Sequence, residues 1–183
     1  GASTADGVPQ GQGHQTVLAQ VAADAFGIDA RTVTVNPELD TQKDPWSIAA
    51  GNYSSRFAGA VAGACHLAAM RLRERLAEIA ASLLNCHVDD IEFGDGQIRQ
   101  RGNPDNGMPF ERLAGLAHWS PGELPERAGT GLRETAQWSA PELTPPTSAD
   151  QINSSLAYGF VFDVCGLEID PDTGACRVDR YVT

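Results

Sequence analysis

Phe57 to Asn85, FAGAVAGACHLAAMRLRERLAEIAASLLN, is the longest pattern in the chain, with no proline and no charge before Arg71. Its second half repeats apolar residues at helical spacing. Leu72, Leu76, Ile79 and Leu83 fall on one face, and Arg71, Arg75 and Glu78 fall elsewhere. The spacing predicts one continuous helix over residues 57–85. The first half is nearly all small: Ala58, Gly59, Ala60, Ala62, Gly63, Ala64. Side chains so small let a neighbour approach the backbone closely. A sheet is the ordinary candidate for that neighbour, and a ligand is the other. The uncharged run covers about 14 residues, or about 21 Å, which is short for a membrane span and normal for a buried helix.

Outward from this segment the pattern alternates between helix and strand. Val17, Val21 and Ala25 recur every four residues beside Leu18 and Ala22, and Gly27 follows, so His14 to Phe26 reads as an amphipathic helix. Gly1 to Gly13 is small and polar. Arg31 to Val35 reads as a short strand, and Asn36 to Asn52 as a long loop. Ile91 to Phe93 and Gln97 to Arg99 bracket Gly94-Asp95-Gly96, a hairpin signal. Pro109 to Trp119 reads as a short helix, and Gly131 to Ala140 as a weakly alternating strand. Leu156 to Ile169 and Ala175 to Val182 read as strands joined by Asp170-Pro171-Asp172-Thr173-Gly174. Helices mixed with antiparallel strands predict an α+β fold, a mixed or antiparallel sheet packed with helices.

The chain has 183 residues, a length that suits a single domain over 1–183. Its final strand-like segment gives it the look of a piece of something longer. Apolar residues make up 42 %, enough for a core, and 13 Lys and Arg against 24 Asp and Glu give a net charge of −11. That balance argues against nucleic-acid binding, which neutralises phosphates with basic residues. There is no membrane-span, signal-sequence or lipidation pattern. Cys65, Cys86, Cys165 and Cys176 show no Cys-x-x-Cys spacing. If Pro171 to Gly174 form the turn, Ile169 faces Cys176. Cys165 then lies about 13 Å further along its strand, beyond the reach of a disulfide. A reduced, cytoplasmic protein follows.

Two segments could carry chemistry. Gly11-Gln12-Gly13-His14 opens a helix, whose free N–H groups and dipole favour an anion, and Gln12 adds an amide. Asn52-Tyr53-Ser54-Ser55-Arg56 precedes the long helix, where Ser54 or Ser55 can cap and Arg56 can pair an anion. Two such openings in one acidic chain point to a phosphate-bearing ligand, and predict that they lie side by side facing one cleft. His14, His66, His87 and His118 sit at no metal-ligand spacing, so no protein metal ligand is expected. Glu123 lies in a turn-rich stretch, suited to the surface rather than to catalysis.

Together these segments resemble the molybdenum hydroxylases: the molybdopterin-binding large subunit of the xanthine oxidase, aldehyde oxidase and aerobic carbon monoxide dehydrogenase family. The resemblance rests on Gly11-Gln12-Gly13-His14-Gln15-Thr16, on Asn52 to Arg56 before the Ala/Gly-rich helix, and on the hairpin Tyr158 to Tyr181. It covers about Gly7 to Thr183, and His14 after Gly-Gln-Gly is closer to the carbon monoxide and bacterial aldehyde dehydrogenase branch. It implies that Gln12 lies beside the molybdenum centre, hydrogen-bonding its oxo group or the pterin. Gly11, Gly13, His14 and Thr16 would contact the pterin or its phosphates. Asn52, Tyr53, Ser54, Ser55 and Arg56 would hold the nucleotide tail, cytosine dinucleotide in form. It further implies a bacterial cytoplasmic enzyme whose partners are the rest of the large subunit and iron–sulfur and flavin subunits.

The chain departs from the family pattern in several places. The earlier Gly-rich loop with phenylalanine, the later pterin loop and the Gly-Glu motif with its general-base glutamate are absent. The spacer between Ser55-Arg56 and Ala62-Gly63 is one residue longer than the pattern. Two functions stay open: a cofactor-binding segment of a molybdenum hydroxylase oxidising an aldehyde, an N-heterocycle or a carbon monoxide-like substrate, or a non-catalytic binding module that keeps the fold. The 183-residue chain alone is expected to be inactive.

Overall fold

The computed structural model describes residues 2–4, 9–38, 40, 42, 44, 55–125, 131–153, 155–156 and 159–183. The elements run β1 (Ala2–Thr4), α1 (His14–Phe26), β2 (Thr34–Asn36), α2 (Ala62–Leu84), β3 (Ile91–Gly94), β4 (Gln97–Gln100), β5 (Asn103–Pro109), α3 (Phe110–Trp119), β6 (Val164–Ile169) and β7 (Cys176–Val182). The fold is α+β, as the sequence implies. β1 and β2 pair in parallel, β3-β4-β5 form an antiparallel sheet, and β6-β7 form an antiparallel ribbon.

α1 spans the expected residues and ends where Gly27 turns left-handed, at φ 63°. Only glycine fits there. A Cβ at residue 27 would lie 2.8 Å from Gly94 Cα, because the end of α1 rests on the β3-β4 turn. The Gly96 N–H donates to the Gly27 carbonyl at 2.8 Å and fixes that contact. Arg73 of α2 reaches the same corner. Its Nη1 donates to the Ala25 carbonyl at 2.9 Å, and its guanidinium lies 4.8 Å from the centre of the Phe93 ring.

The core is built where α2 crosses the antiparallel sheet. Leu76, Ile79, Ala80 and Ala81 pack with Ile91, Ile98 and Leu113. Leu83, expected on the same face, is instead exposed, while its neighbour Leu84 packs against the core.

The long helix is not uniform. Phe57–Val61 is a π-helical turn, and the Ala62 N–H donates to the Phe57 carbonyl, five residues back. Among the described residues, no strand is seen against its small-residue half. Cys65 Sγ contacts the Leu18 carbonyl of α1 at 3.9 Å, and a Cβ at Gly63 would meet Trp138 at 2.5 Å. A helix, an indole and the Leu156 side chain, 3.1 Å from where a Cβ at Gly59 would stand, thus take the place expected for a sheet.

Three other expectations change. Gly131 to Ala140 forms no strand; Arg75 of α2 donates to the Gly131 carbonyl at 3.0 Å and Arg71 to that of Thr135 at 3.3 Å. Of the expected strand Leu156 to Ile169, Val164–Ile169 is strand and 159–163 is not, while 157 and 158 lie outside the described residues. Ala2–Thr4, read as part of a polar lead-in, is a strand paired with β2. The expected pairing of Ile169 with Cys176 is present, and Cys165 faces Tyr181, so neither thiol faces the other.

Asp29 caps the short turn Ala30–Thr32 and makes a two-oxygen contact with the Arg31 guanidinium. The Arg31 side chain, and then its backbone N–H, pull the Asp29 carboxyl from 3.8 down to about 2. A folded value below the unfolded one supports the turn above pH 3.8 and loses that support as pH falls through about 2. A carboxylate titration by NMR should give a midpoint at about 2, moving towards 3.8 in Arg31→Ala. The same midpoint in both proteins would rule out the pairing.

Candidate functional site

The opening of α1 is bare of caps. Gly11 and Gly13 hold φ of 99° and 79°, and Gly13 stands at the N-cap with no side-chain cap bond and no acidic residue in the first turn. The Gly13 carbonyl accepts from the Val17 N–H at 3.1 Å, which leaves the first-turn N–H groups facing outward. Among the described residues, chain neighbours aside, no atom lies within 4 Å of where a Cβ would stand at either glycine. Gln12 is exposed, and its Oε1 accepts from the Gln10 N–H. Its NH2 group remains the donor. Thr16, in the first turn, is also exposed.

His14 differs from its neighbours: it is 2 % exposed. Its ring stacks on Phe57 at 3.7 Å between centroids with a 4° interplanar angle. That stack joins the start of α1 to the π-helical turn before α2, so His14 and Phe57 bring the two helix openings together. Both His14 ring nitrogens and Arg56 Nη1 are buried without a hydrogen-bond partner. Buried polar atoms are nearly always paired, and an orphan needs an explanation.

Of the second segment, Ser55 and Arg56 are described; Asn52, Tyr53 and Ser54 lie outside the described residues. Ser55 is exposed with φ 51°, and no side chain caps the turn that follows. The capping role open to Ser55 is therefore not taken, because its left-handed backbone stands one residue too early. Phe57 was missed as a site residue. The available signal was an aromatic side chain directly after Arg56, at the mouth of a helix otherwise lined with small residues.

The remaining histidines are exposed. His87 Nδ1 accepts from the Asp89 N–H at 3.3 Å, and His118 lies edge-on to Trp119 at 4.7 Å. Among the described residues no group of three or more His, Cys, Asp or Glu is placed to hold a metal ion, and no helix is long and apolar enough to cross a membrane.

Residues 3–183 match the molybdopterin cofactor-binding domain family, and the chain belongs to it. The carbon monoxide dehydrogenase large chain of Afipia carboxidovorans is 30 % identical over 172 residues, which is 94 % of this chain and 19 % of that protein. The nicotine 6-hydroxylase large subunit of Paenarthrobacter nicotinovorans is 30 % identical over 93 % of this chain and 19 % of its own length. Among solved structures, quinoline 2-oxidoreductase from Pseudomonas putida 86 superposes with a TM-score of 0.75 at 29 % identity, over 98 % of this chain and 21 % of that one. The chain thus spans about a fifth of the relatives it matches.

Proposed function

We propose that this chain is the part of a molybdenum hydroxylase large subunit that grips molybdopterin, in its cytosine dinucleotide form, within a bacterial cytoplasmic enzyme. Its partners would be the rest of the large subunit and iron–sulfur and flavin subunits. One observation carries the reading: His14 Nδ1 and Nε2 and Arg56 Nη1 are buried and unpartnered at the meeting point of two helix openings. A buried polar atom without a partner costs free energy, which a ligand's oxygens or ring nitrogens would recover. An anionic, hydrogen-bonding group fits that donor set.

When bound, the cofactor supplies the redox chemistry for hydroxylating an aldehyde, an N-heterocycle or a carbon monoxide-like substrate. This chain's own residues bind and orient it. Gly11 and Gly13 keep side chains out of the approach, and the first-turn N–H groups of α1 face the negative charge. Thr16 adds a hydroxyl, and Gln12 presents its amide at the exposed end. Arg56 offers a guanidinium for phosphate oxygens, together with Asn52, Tyr53, Ser54 and Ser55. The general-base glutamate has no counterpart here, so the isolated chain should show no turnover with an added electron acceptor. Steady oxidation of an aldehyde by the 183-residue chain alone would overturn that.

Molybdenum and pterin analysis of the natively purified protein tests the reading. Both should be present, and Arg56→Met should weaken pterin retention at least about tenfold, the worth of one lost charge-assisted bond. His14→Leu should act in the same direction with helix content unchanged. Native protein free of molybdenum would leave the non-catalytic binding module as the function.

A further inference from the structure

A histidine ring turns about its Cβ–Cγ bond in a broad well, so something must hold it before it can aim a nitrogen. The usual holder is a hydrogen bond to one ring nitrogen, which leaves only the other for chemistry. His14 is held differently. It is 2 % exposed, and among the described residues neither Nδ1 nor Nε2 has a hydrogen-bond partner. What meets the ring is a face. The Phe57 ring lies flush against it, with centroids 3.7 Å apart and planes 4° from parallel. Paired aromatic rings generally settle offset or edge-on, with centroids about 4.5–7 Å apart. A flush stack is therefore set from outside the pair. On one side, Gly13 at φ 79° starts α1 and makes His14 its first residue. On the other, Phe57 opens the π-helical turn, whose last residue, Val61, is buried. Leu156 covers Gly59 within that turn, 3.1 Å from where a Cβ would stand.

We infer that Phe57 is a positioning residue: it holds the His14 imidazole by its face, so that Nδ1 and Nε2 both stay free on the ring edge for the bound cofactor. The inference rests on the reading of this site as one that grips the cofactor. Phe57 has no side-chain donor or acceptor of its own, so its contribution passes through His14. A ring held by its face has lost its turning freedom before the ligand arrives, and a ligand that meets an already aimed ring binds more tightly. Leucine or methionine in place of Phe57 would fill the space but offer no flat face, whereas tyrosine keeps the face. Arg56, which caps the same turn, has Nη1 buried without a partner among the described residues. One turn thus carries both the charged donor and the plate that aims the imidazole.

Release of pterin from the natively purified protein, followed as pterin fluorescence in the filtrate, tests this, because it reads binding rather than turnover. Phe57→Leu should release pterin about fivefold faster than the unaltered protein, within the range for one lost aromatic pair, with helix content unchanged. Where Phe57→Leu lowers helix content, Phe57→Met puts the same question. Phe57→Tyr, which restores the stack, should stay within about twofold of the unaltered protein. In a His14→Leu background, Phe57→Leu should add less than about twofold, since a residue that acts through His14 has nothing left to position. An undiminished effect in that background would overturn the inference. So would release from Phe57→Leu at the unaltered rate, or release from Phe57→Tyr as fast as from Phe57→Leu. Those results concern protein that holds pterin, and they leave the cofactor reading standing. Native protein that holds no pterin would overturn the cofactor reading and this inference with it.

Discussion

Replacing Gln12 by alanine in the complete, molybdenum-loaded protein should lower turnover about 100-fold, the usual effect of removing one aligned donor from a site where charge develops. Gln12 lies between two left-handed glycines on an uncapped helix opening, with its Oε1 tied to the Gln10 N–H. That tie orients the amide and leaves its NH2 to donate. The side chain is exposed, so its loss should change stability by no more than about 0.5 kcal/mol. Steady-state kinetics at matched molybdenum content check the prediction. Unchanged turnover at full loading would remove Gln12 from the site.

The largest stability effect is expected at Ile79. It is 0 % exposed and packs among Leu76, Ala80, Ile91, Ile98 and Leu113, where α2 meets the antiparallel sheet. Ile79→Ala removes three buried carbons and leaves a cavity that neighbouring helix and strand can only partly close. The cost should be about 2–5 kcal/mol, read as a fall in the urea midpoint with the slope unchanged. A loss below about 1 kcal/mol would mean that the core lies elsewhere. Leu83, 39 % exposed, is the control, since Leu83→Ala should cost much less.

Local chemistry was legible in the sequence; long-range pairing was less so. α1 is bounded as expected because its apolar stripe stops at a glycine whose left-handed backbone ends the helix. The Ile169–Cys176 register follows from a turn that folds on itself, with Asp170 Oδ1 accepting from the N–H groups of Asp172 and Thr173. By contrast, β1 finds β2 across thirty-odd residues of sequence, and a three-residue strand carries too little pattern to announce its partner. β5 was missed because Asn103-Pro104-Asp105-Asn106-Gly107 is composed like a loop; pairing with β4 overrides that preference. The small-residue half of the long helix declared a close neighbour, but not that Trp138 would supply it. At the candidate site, helix-opening chemistry singled out Gly11 to His14 and Arg56, and the family resemblance added Thr16. The burial of His14 against Phe57 is a tertiary fact that no local pattern encodes.

The π-helical turn at Phe57–Val61 has a consequence for how this region can change. Each residue of an α-helix advances the chain by about 100° around its axis. An inserted residue within a continuous helix would swing everything on one side of it by that angle, and Leu76 and Ile79 would turn away from the sheet. Here the longer span from the Phe57 carbonyl to the Ala62 N–H absorbs the added residue within one wide turn. The core end keeps its heading, and so does Phe57, which stays stacked on His14 at the other end of the turn. A single helical wheel drawn through residues 57–85 therefore misplaces one end or the other. The chain just before Phe57 can gain or lose a residue at this turn without the core having to be rebuilt.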